Sequence, residues 1–314
     1  GSIGRTAQQS FNKAADAYLD ERLLHTAEKT RFTDKERCRP LRSFFGELQL
    51  RRITSETVVE YQIARKKAAV SGRTINMEVG LLRRIMKKHK QWVRLADEVK
   101  MLPEKPKAAR VLTPEEKAVL LQKAASRPDW TIAKCAAILA LNTTMRGCEL
   151  KGLRRKDVDL FERTLTIQRA TSKTDAGNRV LPLNRDAVLT LSELLKRCEL
   201  LGATDQEHYV FPTCGNNGID PTKPMKGWRS AWRSLTKAAG LKGLRFHDLR
   251  HQAITELCEA GLSDMTIMGI AGHVSKEMLM HYSHIRMKAK REAIALLESS
   301  PVSNPVDGET IRPN

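Results

Sequence analysis

Apolar positions in the first ninety residues recur in steps of three and four. Ala15, Tyr18, Leu19 and Leu23 follow the rhythm of a helix with one buried face, and similar stripes continue to about Trp92. The pattern predicts about four helices from Phe11 to Trp92. The third opens at Thr54, with Glu56 in its first turn, and runs through Val58, Val59 and Tyr61 to Ala69. The fourth runs from about Thr74 through Leu81, Leu82 and Ile85. Between Met101 and Leu112 the periodicity stops and two prolines enter, which predicts a linker.

Thr113-Pro114-Glu115-Glu116 then signals a helix start. Thr113 can accept from an orphan N–H, Pro114 needs no donor at the first position, and Glu116 can bond back. Further helices are predicted from about Trp130 to Leu141, from Asp186 to Leu201 with Gly202 as a stop, and from Lys226 to Gly240. A short β section interrupts them. Val158 and Leu160, then Leu165 and Ile167, alternate like half-buried strands, and Val180 to Leu183 resembles an edge strand with Pro182 at its rim. The chain therefore reads as a helical domain over 1–105, a linker over 106–112, a mainly α second domain with a small antiparallel β-sheet over 113–299, and a flexible tail over 300–314. Gly1-Ser2 reads as an expression scar, followed by no secretion signal.

Charge narrows the class of partner. The formal net charge is +19, from 55 Lys and Arg against 36 Asp and Glu, and residues 1–110 alone carry +12. Solubility needs far less, so a polyanion is expected, with nucleic acid the first candidate. Arg83, Arg84, Lys87 and Lys88 form a basic band on the fourth predicted helix and are candidates for phosphate contacts. No apolar run is long enough to span a membrane. The six cysteines are scattered with neither C-x-x-C nor metal spacing, and read as reduced thiols of a cytosolic protein.

Four separated segments carry candidate chemistry. Arg146 and Glu149 stand three apart after the apolar stretch TIAKCAAILAL, so a helical turn puts carboxylate and guanidinium on one face. Lys173 lies near the tip of the predicted hairpin, where an ammonium can protonate a departing alkoxide. His247 and Arg250 share a face at the start of a helix whose other side, Ala253, Ile254 and Leu257, is apolar. Two arginines drawn together repel unless an anion such as phosphate sits between them. The last segment holds Gly272-His273 and, nine residues on, Tyr282, a phenol that needs a base or a positive field before it can attack phosphorus.

Together these segments resemble the tyrosine recombinase, or phage integrase, family, in the family's order across the whole second domain. The resemblance implies a two-domain architecture and cleavage of DNA by Tyr282 as nucleophile, giving a 3′-phosphotyrosyl intermediate and strand exchange through a Holliday junction. It makes Arg146, Lys173, His247, Arg250 and His273 the other catalytic residues and Glu149 a supporting one, with neither metal nor cofactor. Implied partners are double-stranded DNA with specific recombination sites, a homo-tetramer on that DNA, and accessory DNA-bending or directionality proteins. The residues Arg286 to Glu298 would then either dock on a neighbouring subunit or pack on their own domain. Two other classes share part of the pattern. A type IB topoisomerase would relax supercoils without pairing two sites, and a non-catalytic DNA-binding protein would form no covalent adduct.

Overall fold

The computed structural model describes residues 8–104, 110–168, 179–215, 218–272 and 294–295. The chain divides into two compact units, Gly1–Lys107 and Ala108–Asn314. The fold is mainly helical with small antiparallel sheets, and no helix among the described residues is long and apolar enough to cross a membrane.

The first unit has four helices: α1 (Phe11–His25), α2 (Glu28–Phe45), α3 (Ser55–Lys67) and α4 (Gly72–Lys88). Three begin on hydroxyl caps, Ser10, Thr54 and Ser71, each accepting from a main-chain N–H three residues on. Their apolar faces close over Phe11, Leu41, Phe45, Tyr61, Val79, Leu82 and Ile85, all fully buried. A carboxyl group lies inside this core. Glu78 on α4, only 3% exposed, accepts from Tyr61 Oη at 2.7 Å and from Arg65 Nε and Nη2 at 2.9 and 2.7 Å. Tyr61 and Arg65 lie one turn apart on α3, so a single carboxylate clamps α3 to α4.

The second unit is built around α6 (Thr131–Thr143), where Ala133, Cys135, Ala136, Ala137, Leu139, Ala140 and Leu141 are all buried. A helix apolar on nearly every side must be covered by neighbours. Here α5 (Pro114–Ala125), α8 (Arg185–Leu200) and α10 (Asp248–Glu259) pack against it. The start of α5 forms as its sequence requires: Thr113 Oγ1 accepts from Glu116 N and Glu116 Oε2 from Thr113 N, both at 3.2 Å. After α6 come α7 (Gly147–Gly152) and a three-stranded antiparallel sheet in the order β1 (Val158–Asp159), β2 (Thr164–Ile167), β3 (Arg179–Pro182). Leu165 pairs with both Val158 and Leu181. β4 (Pro212–Gly215) and β5 (Gly218–Pro224), which the alternation pattern does not predict, form a separate antiparallel pair. Then follow α9 (Arg229–Ala238), α10 and α11 (Asp264–Ala271).

Removing the carboxylate of Glu78 leaves a partly buried Arg65 and a buried phenol without their acceptor. Glu78→Ala is expected to destabilise the protein by about 3 kcal/mol, read by urea denaturation followed by helical circular dichroism.

Candidate active site

The buried helix α6 delivers the first arginine. It ends at Thr143, and Thr144 turns the chain with a left-handed backbone, φ +57°. Met145 is buried, so Arg146 emerges at the cap position of α7 with its guanidinium directed by Glu149. Glu149 Oε2 accepts from the main-chain N–H of Arg146 at 2.8 Å, and Oε1 from its Nη1 at 2.9 Å. The carboxylate thus caps the helix and orients the arginine together.

The second arginine comes from α10. Arg250 is 2% exposed, yet no carboxylate hydrogen-bonds it among the described residues. Its Nη1 donates to the carbonyl of Thr144, and its Nη2 to that of Ala271 at 2.8 Å. Burial, followed by the nearby Arg146 cation, lowers its pKa to about 10, with Glu149 acting against them. It therefore stays charged at neutral pH.

His247 precedes α10 and keeps an edge in solvent. Partial desolvation, then Arg250 and Arg146, push its pKa below the ordinary imidazole value, so it is neutral and basic at physiological pH. His251 stacks edge-on against it at 5.0 Å. Buried Asp248 fixes the approach to α10: its Oδ2 accepts from Arg245 N at 2.8 Å and its Oδ1 from Arg245 Nε at 3.0 Å.

A residue the motif pattern did not single out completes the cluster. Arg179, at the start of β3, donates from Nη2 to Glu149 Oε2 at 3.0 Å and from Nη1 to Oε1 at 3.3 Å. Its signal was in the alternation. Arg179 and Leu181 share a strand face, and Leu181 is buried, so a charge on that face must meet a partner inside the unit. Among the described residues, three guanidinium groups, Arg146, Arg179 and Arg250, gather round the carboxylate of Glu149 and keep an excess of positive charge.

Arg146, Glu149, His247 and Arg250 are thus brought together from two segments, and Arg179 joins them from a third. Lys173, His273 and Tyr282 lie outside the described residues, as do most of Arg286 to Glu298. The basic band of α4 belongs to the first unit and divides into two stripes. Arg84 donates to Asp34 at 3.1 Å and to Tyr18 Oη at 3.1 Å, and Lys88 bonds Glu21 and the carbonyl of Ala17. Arg83 and Lys87, one turn apart on the adjacent stripe, are exposed and make no ion pair among the described residues.

Residues 110–289, more than half of the chain, match the phage integrase family model. The chain belongs to the phage integrase (tyrosine recombinase) family. Among curated members it is similar to the shufflon-specific DNA recombinase of Escherichia coli, 34% identical over 149 residues, which are 47% of this chain and 33% of that protein. The chain spans between a third and a half of the length of the first curated relatives it matches. Among solved integrase structures, the Tn1549 transposon integrase in complex with circular intermediate DNA aligns with a TM-score of 0.75 at 18% identity, over 92% of this chain and all of that one. A lambda integrase tetramer bound to a Holliday junction aligns with a TM-score of 0.65 at 19% identity, over 88% of this chain and 77% of that one. At such identities these likenesses establish the integrase fold.

The pH response of Glu149 is a direct check on this geometry. Burial alone would raise its pKa, but the hydrogen bonds from Arg179 and the Arg146 main chain, with both arginine charges, outweigh it and hold the value below the ordinary 4.5. A depressed folded-state pKa stabilises the fold above the unfolded value, and that stabilisation disappears as pH falls through the folded one. The stability difference between wild type and Glu149→Gln should stay constant down to about pH 5, then narrow as the pH drops further. Urea melts across an acid pH series measure it.

Proposed function

We propose that this chain is a site-specific tyrosine recombinase, which cuts and rejoins double-stranded DNA through a 3′-phosphotyrosyl intermediate. The observation that carries the reading is the convergence of Arg146, Arg250 and His247 on a cluster with surplus positive charge, the complement of a phosphodiester whose charge grows as it is attacked. Planar guanidinium forks suit its non-bridging oxygens.

In this reading the phenolic oxygen of Tyr282 bonds to phosphorus while the bond from phosphorus to the 5′ oxygen breaks. His247 accepts the phenolic proton, which its lowered pKa allows at neutral pH, and Lys173 gives a proton to the leaving 5′ oxygen. Arg146, Arg250 and His273 bind the non-bridging oxygens. A 5′ hydroxyl from a partner duplex then attacks the phosphotyrosine and releases Tyr282, which exchanges strands and conserves the phosphodiester energy. Glu149 keeps Arg146 aimed throughout.

The partners follow the same line. Recombination sites in duplex DNA are the substrate, and a homo-tetramer holding a Holliday junction is the assembly, as in the lambda integrase complex. Docking of Arg286 to Glu298 on a neighbour would close that tetramer, accessory DNA-bending or directionality proteins would set the outcome, and the work would take place on DNA in the cytoplasm. On the first unit we assign phosphate contact to Arg83 and Lys87, because Arg84 and Lys88 are engaged within the unit. Gly80 stands one turn before Arg83 on the same stripe. A Cβ there would touch nothing within 4 Å, so packing does not explain a mid-helix glycine that costs about 1 kcal/mol against alanine. The open space there leaves room for a DNA backbone to approach.

Two measurements test this. On nicked duplexes drawn from DNA flanking the gene or from a random pool, wild type should form a covalent adduct on denaturing gels and Tyr282→Phe should not; an adduct that persists in the variant would overturn the assignment. Replacing Arg83 and Lys87 together by alanine should reduce the slope of log affinity against log salt by about 2, with unfolding unchanged. Arg84→Ala should instead lower stability.

A further inference from the structure

The carbonyls at the C-terminal end of α11 have no partner within their helix, and two of them are taken by arginines from different parts of the chain. Ala271 O accepts from Arg250. Its neighbour Ile270 O accepts from Arg179 Nε at 3.0 Å. Arg179 therefore uses Nε on α11 and both terminal nitrogens on Glu149, which itself aims Arg146. This is not a surface ion pair: the side chains of Arg179 and Glu149 are 11% and 13% exposed.

The turn after α11 closes over the same group. Gly272 has φ +70°, a left-handed backbone, and a Cβ there would lie 2.7 Å from Arg179 Nη1 and 3.0 Å from its Cζ. The glycine preceding His273 thus has a physical reason: the main chain passes so close to the guanidinium that a side chain would have to displace it. Arg179 also opens β3, immediately after the segment that contains Lys173 in the sequence.

We propose that Arg179 is a positioning residue of the strand-transfer site, locking Glu149 with Arg146 on one side and the Ile270–Gly272 turn that leads to His273 on the other. The proposal rests on the recombinase reading for its catalytic consequence, but not for its structural one. A guanidinium is suited to the task because its rigid fork meets one carboxylate and one carbonyl in a single plane, whereas an ammonium is a point donor on a flexible stem. Arg179 touches no reacting atom in this scheme. Its effect passes through the geometry of residues that do, where misplacement by about 1 Å costs on the order of 100-fold in rate.

The test uses the full chain, with Arg179→Gln, Arg179→Lys and Gly272→Ala beside wild type and Tyr282→Phe. Hydrogen–deuterium exchange without DNA should quicken in Arg179→Gln within peptides spanning Thr144–Leu150 and Met268–Gly272, and stay unchanged in α1 to α4. On nicked duplex at saturating protein, the rate of adduct formation should fall about 100-fold with the Kd for DNA unchanged. Arg179→Lys should restore only part of that rate, and Gly272→Ala should mimic Arg179→Gln. Unchanged exchange, cleavage by Arg179→Gln at the wild-type rate, or a loss of rate accompanied by an equal loss of DNA binding and thermal stability would each overturn the proposal. A wild-type protein that forms no adduct would count against the recombinase reading; the exchange result would still decide for or against the lock, because it requires no DNA.

Discussion

Two consecutive carbonyls, Ile270 and Ala271, hold the cationic cluster in place. The end of a helix offers unpaired carbonyls and the negative pole of its dipole, both favourable to cations. With Arg179 on one and Arg250 on the next, α11 secures charges that α10 and β3 deliver, and the carbonyl of Thr144 adds the end of α6. Main-chain dipoles can satisfy a buried guanidinium without cancelling its charge. A carboxylate at Arg250 would neutralise the site, whereas carbonyls leave it positive, and burial with the nearby Arg146 lowers its pKa only to about 10.

Glu149 has a different task. Three positive groups in one cleft repel one another, and the penalty falls if a shared anion stands among them without blocking the outward face. Glu149 bonds the side chains of Arg146 and Arg179 and acts electrostatically on Arg250. Its ionised state depends on these partners, since burial pushes the other way. The cluster is therefore cooperative: Arg146 and Arg179 keep the carboxylate charged, and the carboxylate allows the arginines to approach.

Much of this was legible in the sequence, for identifiable reasons. Helix starts at Thr54 and Thr113 follow from cap chemistry, which is local, and α6 follows from an apolar stretch that must be covered on all sides. Arg146, Glu149, His247 and Arg250 were visible because their spacing puts pairs on one helical face. Arg179 was legible only as an inward-facing charge on its strand, because its partners are 30 and 91 residues away along the chain and spacing does not name partners at that range. The pair β4 and β5 was missed because its residues are mostly exposed and show no alternation. The Asn217-Gly218 turn signal was the available clue.

Net charge pointed to a polyanion but could not say which residues meet it. In the band on α4 the four basic residues look equivalent in sequence, yet Arg84 and Lys88 face α1 and α2, where Asp34, Tyr18 and Glu21 engage them, while Arg83 and Lys87 face away. A surplus charge acts on association only where the fold has not already paired it. The residues of a basic patch that matter for a polyanion are those left after internal pairs are subtracted, and that subtraction requires the tertiary structure. The same reasoning explains the second unit, which has the smaller share of the net charge but concentrates it: Arg250 and its neighbours are held by carbonyls and one shared carboxylate, so few charges produce a strong local field.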